Sequence, residues 1–134
     1  MTIEAQSAVA AAVVVQSERV LLERRRVAEG AVSWQFPAGK IEPEEAPEEA
    51  AARETEEETC LLVVPQSVLG QRAHPMTSRK IYYIACRPVG GETVIASADE
   101  VAGLTWATHG EIPQYVPHGL FQPVQDHLDA ALLS

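Results

Sequence analysis

Basic residues are scarce in this chain: 10 Lys and Arg stand against 19 Asp and Glu, giving a net charge of -9 and a pI near 4.8. Nonspecific binding to nucleic acid or to an anionic membrane needs a basic surface, so both are excluded as partners. Long apolar runs are also missing. The longest, Ala8 to Val15, falls well short of the roughly 20 residues that cross a bilayer as a helix. Glu4 precedes that run where a signal peptide carries basic residues, so the cytoplasm is the default location. The two cysteines, Cys60 and Cys86, make no metal-ligand or redox spacing and are expected as buried free thiols. Internal repeats and low-complexity tails are absent.

What is present fits one domain over residues 1–134, with 46% hydrophobic and 22% charged residues. A chain of this length buries roughly two-thirds of its unfolded surface. Ala8 to Val15 ends in three valines and reads as a buried strand. A polar turn at Gln16 to Glu18 leads to a partner strand, Val20 to Arg26, in which Leu22, Arg24 and Arg26 share a face. Leu61 to Val64 and Val68 to Arg72, interrupted by Pro65, read as an edge strand or two short ones. Lys80 to Arg87 reads as a central strand buried on both faces. Gly90-Gly91 signals a hairpin, with Glu92 to Ala96 as the return strand. An acidic loop, Ala98 to Gly103, precedes a strand over Leu104 to Ala107, and Leu120 to Leu133 reads as a closing amphipathic helix.

The charge itself is concentrated. From Glu42 to Glu58, nine acidic residues surround a single base, Arg53. Read as a helix from Pro47, a residue type suited to a first turn, the segment stacks Glu54, Glu57 and Glu58 at i, i+3 and i+4 on one face. Like charges at that spacing cost a few tenths of a kcal/mol per pair, and a divalent cation reverses the sign. A solvated Ala- and Glu-rich helix is the plain alternative. Ala51, Thr55, Thr59 and Leu62 form the opposite, packing stripe. Upstream, Arg24, Arg25 and Arg26 make the one basic cluster. They are either solvated strand-end residues or phosphate-recognising forks. Pro37 and Gly39 are expected to turn the chain into the helix. His74 has no partner at metal spacing and reads as surface.

Gly39, Glu45, Arg53, Glu54, Glu57, Glu58 and Leu61 fall at the spacing G-x5-E-x7-R-E-U-x-E-E-x-G-U, where U is a bulky aliphatic. In this the chain resembles the Nudix hydrolases, and the approach Trp34-Gln35-Phe36-Pro37-Ala38-Gly39-Lys40 resembles that of members directed to nucleoside triphosphates. Two positions depart. Thr55 stands where an aliphatic is usual, and Cys60 where a second glycine is usual. A left-handed cap costs a residue with a Cβ about 1 to 2 kcal/mol, so the helix is expected to run on or end differently at Cys60.

The resemblance implies an α/β fold, a Nudix-type α/β/α sandwich with a mixed β-sheet between helices. It implies Mg2+, with Mn2+ as a substitute, held by Glu54, Glu57 and Glu58 with a backbone carbonyl of Ala38 or Gly39. Glu100 completes the shell or acts as general base, with Asp99 as its competitor. Arg53 orients Glu57, and Glu45 caps backbone N–H groups or extends the metal site. In the MutT-like branch an arginine fifteen residues before the signature glycine approaches the phosphates, which favours Arg24 over its neighbours, with Arg26 on the same face. Tyr82 and Tyr83 point to opposite faces, so one at most lines a pocket, and Tyr82 is carried as the candidate. Trp34, Trp106 and Phe121 could each stack on a base but are more easily explained as core.

The activity implied is hydrolysis of a nucleoside triphosphate, deoxy or oxidised forms included, to the monophosphate and pyrophosphate. The alternative is a nucleoside diphosphate linked to another moiety, of NDP-sugar or ADP-ribose type. A non-catalytic nucleotide-binding module, motivated by Thr55 and Cys60, is the third reading. The partner is a small-molecule nucleotide, and oligomeric state stays open, a homodimer included.

Overall fold

The valine-rich run becomes β1 (Val9–Gln16), the strand on which the rest of the sheet is hung. The computed structural model describes residues 8–26, 32–74, 78–95 and 101–132. Ser17 and Glu18, with φ of 52° and 63°, supply the two left-handed residues of a tight hairpin into β2 (Arg19–Arg26). β3 (Val32–Gln35) and β7 (Val101–Ala107) pair with β2 antiparallel. Along β1, β4 (Ala38–Lys40) pairs antiparallel and β6 (Lys80–Gly90) parallel. β5 (Leu62–Ala73) lies antiparallel on the outer side of β6. The sheet is therefore mixed.

Alternation along these strands divides the core in two. Ala10, Ala12, Val14, Leu21, Ile84 and Cys86 face the first helix, α1 (Pro47–Thr59), through Ala50 and Ala51. Val13, Leu22, Phe36, Ile81 and Tyr83 face the opposite way. There α2 (Ile112–Tyr115) contributes Ile112, α3 (Gln122–Ala131) contributes Val124 and Leu128, and Leu132 follows. Helices thus cover both faces of a mixed sheet, the α/β/α sandwich that the resemblance implies.

Several local expectations change. The return strand over 92–96 does not form among the described residues, where 91–95 has no regular structure. Both edges of β6 are already taken, by β1 and β5. Gly91 (φ 80°) instead sends the chain against the end of α1, where Val94 N–H donates to Thr59 O at 2.8 Å. Pro65 does not split the edge strand, because β5 runs past it with register shifts on either side, and an edge tolerates the missing N–H. Leu62 starts β5 and is exposed rather than joining the packing stripe of α1. β7 begins at Val101, so its first residues are strand rather than loop, and α3 begins only at Gln122.

The two departures from the signature have local explanations. Thr55 and Thr59 are fully buried, and each hydroxyl donates to the carbonyl four residues back, Ala51 O and Thr55 O, both at 2.7 Å. Thr55 therefore fills an aliphatic position without an orphaned hydroxyl. Cys60 ends the helix as a glycine would: it caps α1 in the left-handed conformation, φ 64° and ψ 4°, and its N–H donates to Glu56 O. The helix neither runs on nor ends differently, and the strain stays at Cys60. Cys60 is exposed, so only Cys86 is a buried thiol, and its pKa is pushed up to about 12 by burial. Cys60→Gly should raise stability by about 1 kcal/mol, read as a higher midpoint in urea unfolding. An unchanged or lowered midpoint would show that the left-handed cap is not strained.

Candidate active site

α1 starts cleanly because Pro47 occupies its first turn and Glu49 reaches back to accept the Ala46 N–H at 2.8 Å. That places Arg53 between the helix and the loop before it. Its Nε and Nη2 donate to the two oxygens of Glu45 at 2.7 and 2.9 Å, a fork on a carboxylate. Nη2 also donates to Lys40 O at 2.9 Å, tying α1 to β4. Nη1 is shared by Glu54 and Glu57, at 2.9 and 3.1 Å. One guanidinium therefore orients three carboxylates. Glu45 is held well below the usual carboxylate range by Arg53. Glu54, partly buried, is raised by desolvation in spite of the arginine.

The three stacked carboxylates do not share one environment. Glu54 and Glu57 line a cavity of about 830 Å³ between β4, α1 and the segment leading into α3. Glu58 is 2% exposed and turns inward toward β2. There it meets Glu23, which is fully buried, and Arg25. Arg25 Nη1 donates to Glu58 Oε2 at 2.9 Å and to Glu23 Oε2 at 2.8 Å, with Ala38 O at 3.4 Å. Burial, reinforced by Glu58, pushes the Glu23 carboxyl up to about 9. Arg25 is itself raised, because the two carboxylates outweigh its desolvation. Among the described residues no three acidic, His or Cys side chains converge on one point, since the two arginines stand between the carboxylates.

Gly39 has a different role from the expected turn. It sits within β4, paired with Ala10, and its φ is not positive. What it supplies is room: a Cβ there would overlap the Glu54 carboxylate. Ala38 and Gly39 both line the cavity beside Glu54 and Glu57.

The other candidates are spread more widely. Arg24 is exposed, pairs with Trp34 across β2 and β3, and is not among the residues lining the cavity, whereas Arg25 is. Glu45 does not line it either, and acts on Arg53. Tyr82 packs with the cluster under α1, while Tyr83 faces the cavity, so the two tyrosines exchange the parts assigned from sequence. The Arg26 side chain, Glu100 and Asp99 lie outside the described residues. His74 is half-buried at the cavity rather than on the surface, and burial lowers its pKa.

Away from the carboxylates the cavity is aromatic and basic. Tyr83 and Phe121 lie with ring centroids 5.3 Å apart. Arg72 spans both, its Cζ 5.7 and 5.1 Å from the two centroids, and its Nη2 donates to the Tyr83 hydroxyl at 3.2 Å. Phe36 meets Tyr83 edge-on, and Trp34 meets Tyr115 in the same way. Sequence reading missed Arg72 and Glu23. Glu23 had a signal, since it is in phase with Leu21 on an apolar strand.

A cavity lined by an acidic helix face together with Tyr83, Phe121 and Arg72 fits a phosphorylated small molecule. The NUDIX domain family profile matches residues 5–129, and the chain belongs to the Nudix family, in its MutT-like branch. It is 28% identical over 116 residues to a putative 8-oxo-dGTP diphosphatase of Bacillus subtilis, covering 87% of this chain and 75% of that one. It is 32% identical over 123 residues to a MutT-like protein of Streptomyces ambofaciens, covering 90% and 76%. A NUDIX hydrolase structure from Nitrosomonas europaea superposes with a TM-score of 0.79 at 20% identity, over 96% of this chain and 73% of that one. The protein is a nucleotide pyrophosphohydrolase. No helix among the described residues is long and apolar enough to cross a membrane.

Proposed function

We propose that the enzyme hydrolyses a nucleoside triphosphate, deoxy or oxidised forms included, to the monophosphate and pyrophosphate with Mg2+. The observation that carries this reading is the lining of one cavity by Glu54 and Glu57 together with Tyr83, Phe121 and Arg72. A triphosphate suits both sets, since its phosphates need cations and its base offers a face for stacking and acceptors for a guanidinium. The 8-oxo-dGTP diphosphatase relative supports the triphosphate over a sugar-linked diphosphate.

The residues present suit Mg2+. Glu54, Glu57 and Glu58 are hard oxygen donors, Ala38 and Gly39 line the same cavity as Glu54 and Glu57, and one oxygen of Glu58 is buried without a hydrogen-bond partner. Glu54, Glu57 and Glu58 do not converge on one point among the described residues, and would close on the ion together with the Ala38 or Gly39 carbonyl. Bound there, Mg2+ supplies charge neutralisation on the phosphates, an acidified water and a stabilised leaving group. Arg53 keeps Glu54 and Glu57 at the cavity wall, and Glu45 keeps Arg53 in place. Glu100 is the general base in this reading, with Mn2+ able to replace Mg2+ and the cytoplasm as the setting.

A panel of nucleotides with Mg2+ and product analysis tests it. Free pyrophosphate should appear with a nucleoside triphosphate. Cleavage of an NDP-sugar or ADP-ribose with every triphosphate left intact would refute this reading.

A further inference from the structure

We infer that Glu23 is a positioning residue for the hydrolysis, acting through Arg25 to hold Glu58 in place with one oxygen kept for a cation. The inference rests on the proposal that Glu58 binds a divalent ion. Glu23 lies outside the signature and belongs to a different strand, but β2 brings it beneath α1. Leu21 and Glu23, two residues apart on one face of that strand, are both fully buried.

The geometry is a two-sided clamp. Arg25 Nη1 is 2.8 Å from Glu23 Oε2 and 2.9 Å from Glu58 Oε2. Glu23 holds the guanidinium from the strand side, so Arg25 is kept from swinging away from Glu58. Arg25 reaches the cavity wall, whereas Glu23 does not. Glu23 therefore acts through its neighbour rather than on substrate.

Stability alone does not favour this arrangement. Two buried carboxyl groups share one guanidinium nitrogen, and Glu23 Oε1 and Glu58 Oε1 are both buried without a hydrogen-bond partner. Buried polar atoms are nearly always satisfied, and replacing a buried charge cluster with apolar groups is often neutral or stabilising. The orphaned Glu58 oxygen makes sense as a ligand atom. Glu23 then corresponds to the outer partner that fixes a ligating carboxylate, a role whose loss typically costs 10- to 100-fold in metal affinity.

Mn2+ binding without nucleotide, read by electron paramagnetic resonance, tests this on the full chain. Glu23→Met keeps the side-chain length but removes the acceptor that holds Arg25, and should raise the Mn2+ Kd on the order of tenfold. Arg25→Lys keeps the charge but not the fork, and should raise Kd by a similar factor. The double variant should be little worse than either single one, because both break the same clamp. Additive losses would mean that Glu23 and Arg25 act independently, and would overturn the inference. So would wild-type affinity in folded Glu23→Met. Should Glu23→Met fail to fold, Arg25→Lys decides: wild-type affinity there overturns the inference, and a raised Kd supports it. A wild type that binds no Mn2+ removes the metal reading and this inference with it, whereas wild-type binding unaffected by Glu23→Met removes this inference alone.

Discussion

Glu58→Gln should lower kcat on the order of a hundred- to a thousandfold, the scale on which loss of one preorganised electrostatic group acts, while leaving the metal-free fold intact. Activity and stability are expected to part here because Glu58 is buried beside a second carboxylate. With the Glu58 charge gone, Glu23, already 2.8 Å from Arg25 Nη1, is free to ionise and take over the pairing, so the guanidinium is not left without a counter-charge. The pH dependence follows from Glu23. Its carboxyl rises from 4.5 unfolded to about 9 folded, through burial and then through Glu58. Between these values the folded state binds more protons than the unfolded state, so stability falls as pH rises. The contribution is fully present below about 4.5 and lost as pH passes about 9. Thermal unfolding of wild type in chelator should therefore show a midpoint that declines across that window, and Glu58→Gln should flatten the decline by removing one of its causes. Wild-type kcat in Glu58→Gln would take Glu58 out of the chemistry, and an unflattened profile would mean that the two carboxyls do not interact.

The grouping of Arg53, Glu54 and Glu57 was legible because they sit on one regular helix, where spacing fixes the faces, but spacing did not show that Glu58 turns inward to β2. The same rule does not reach across elements. Glu23 meets Glu58 thirty-five positions away because β2 passes beneath α1, and no local pattern encodes that packing. Alternation correctly put Tyr82 and Tyr83 on opposite faces, but their absolute phase depends on which face α1 covers, so Tyr83 reached the cavity. For the arginines, alternation separates Arg25 from Arg24 and Arg26, and packing against α1 brings Arg25 to the carboxylates. The sheet follows the same division. β1, β2 and β6 announce themselves through β-branched and apolar runs, whereas the return strand expected over 92–96 is replaced by contacts at the end of α1. A hairpin signal reports a turn and not whether a strand edge is free to receive the chain. Cys60 shows a third kind of limit: the left-handed cap is imposed by the path of the chain from α1 into β5, and it prevails over the preference of the residue.

Gly39→Ala is expected to damage the site far more than the fold. A glycine after proline suggests a turn, yet Gly39 lies in β4 without a positive φ, so alanine brings no backbone strain there. The conflict is with the carboxylate of Glu54, where the added methyl would overlap the terminal atoms of that side chain. Those atoms end a flexible chain, and the cheapest relief is for the carboxylate to leave its place, losing the 2.9 Å contact with Arg53 Nη1. The thermal midpoint should therefore move by no more than a few degrees, while kcat falls about 10- to 100-fold, as expected when a carboxylate in a metal site is displaced. Glu54→Gln supplies the control. If displacement of Glu54 is the whole effect, adding Gly39→Ala to Glu54→Gln should cost little more, whereas independent roles would multiply the losses. Full activity in a folded Gly39→Ala would refute the idea that this glycine serves to let Glu54 approach the strand. The spacing from Gly39 to Glu54 would then reflect chain path alone, and the room beside the strand would have no part in holding the cation.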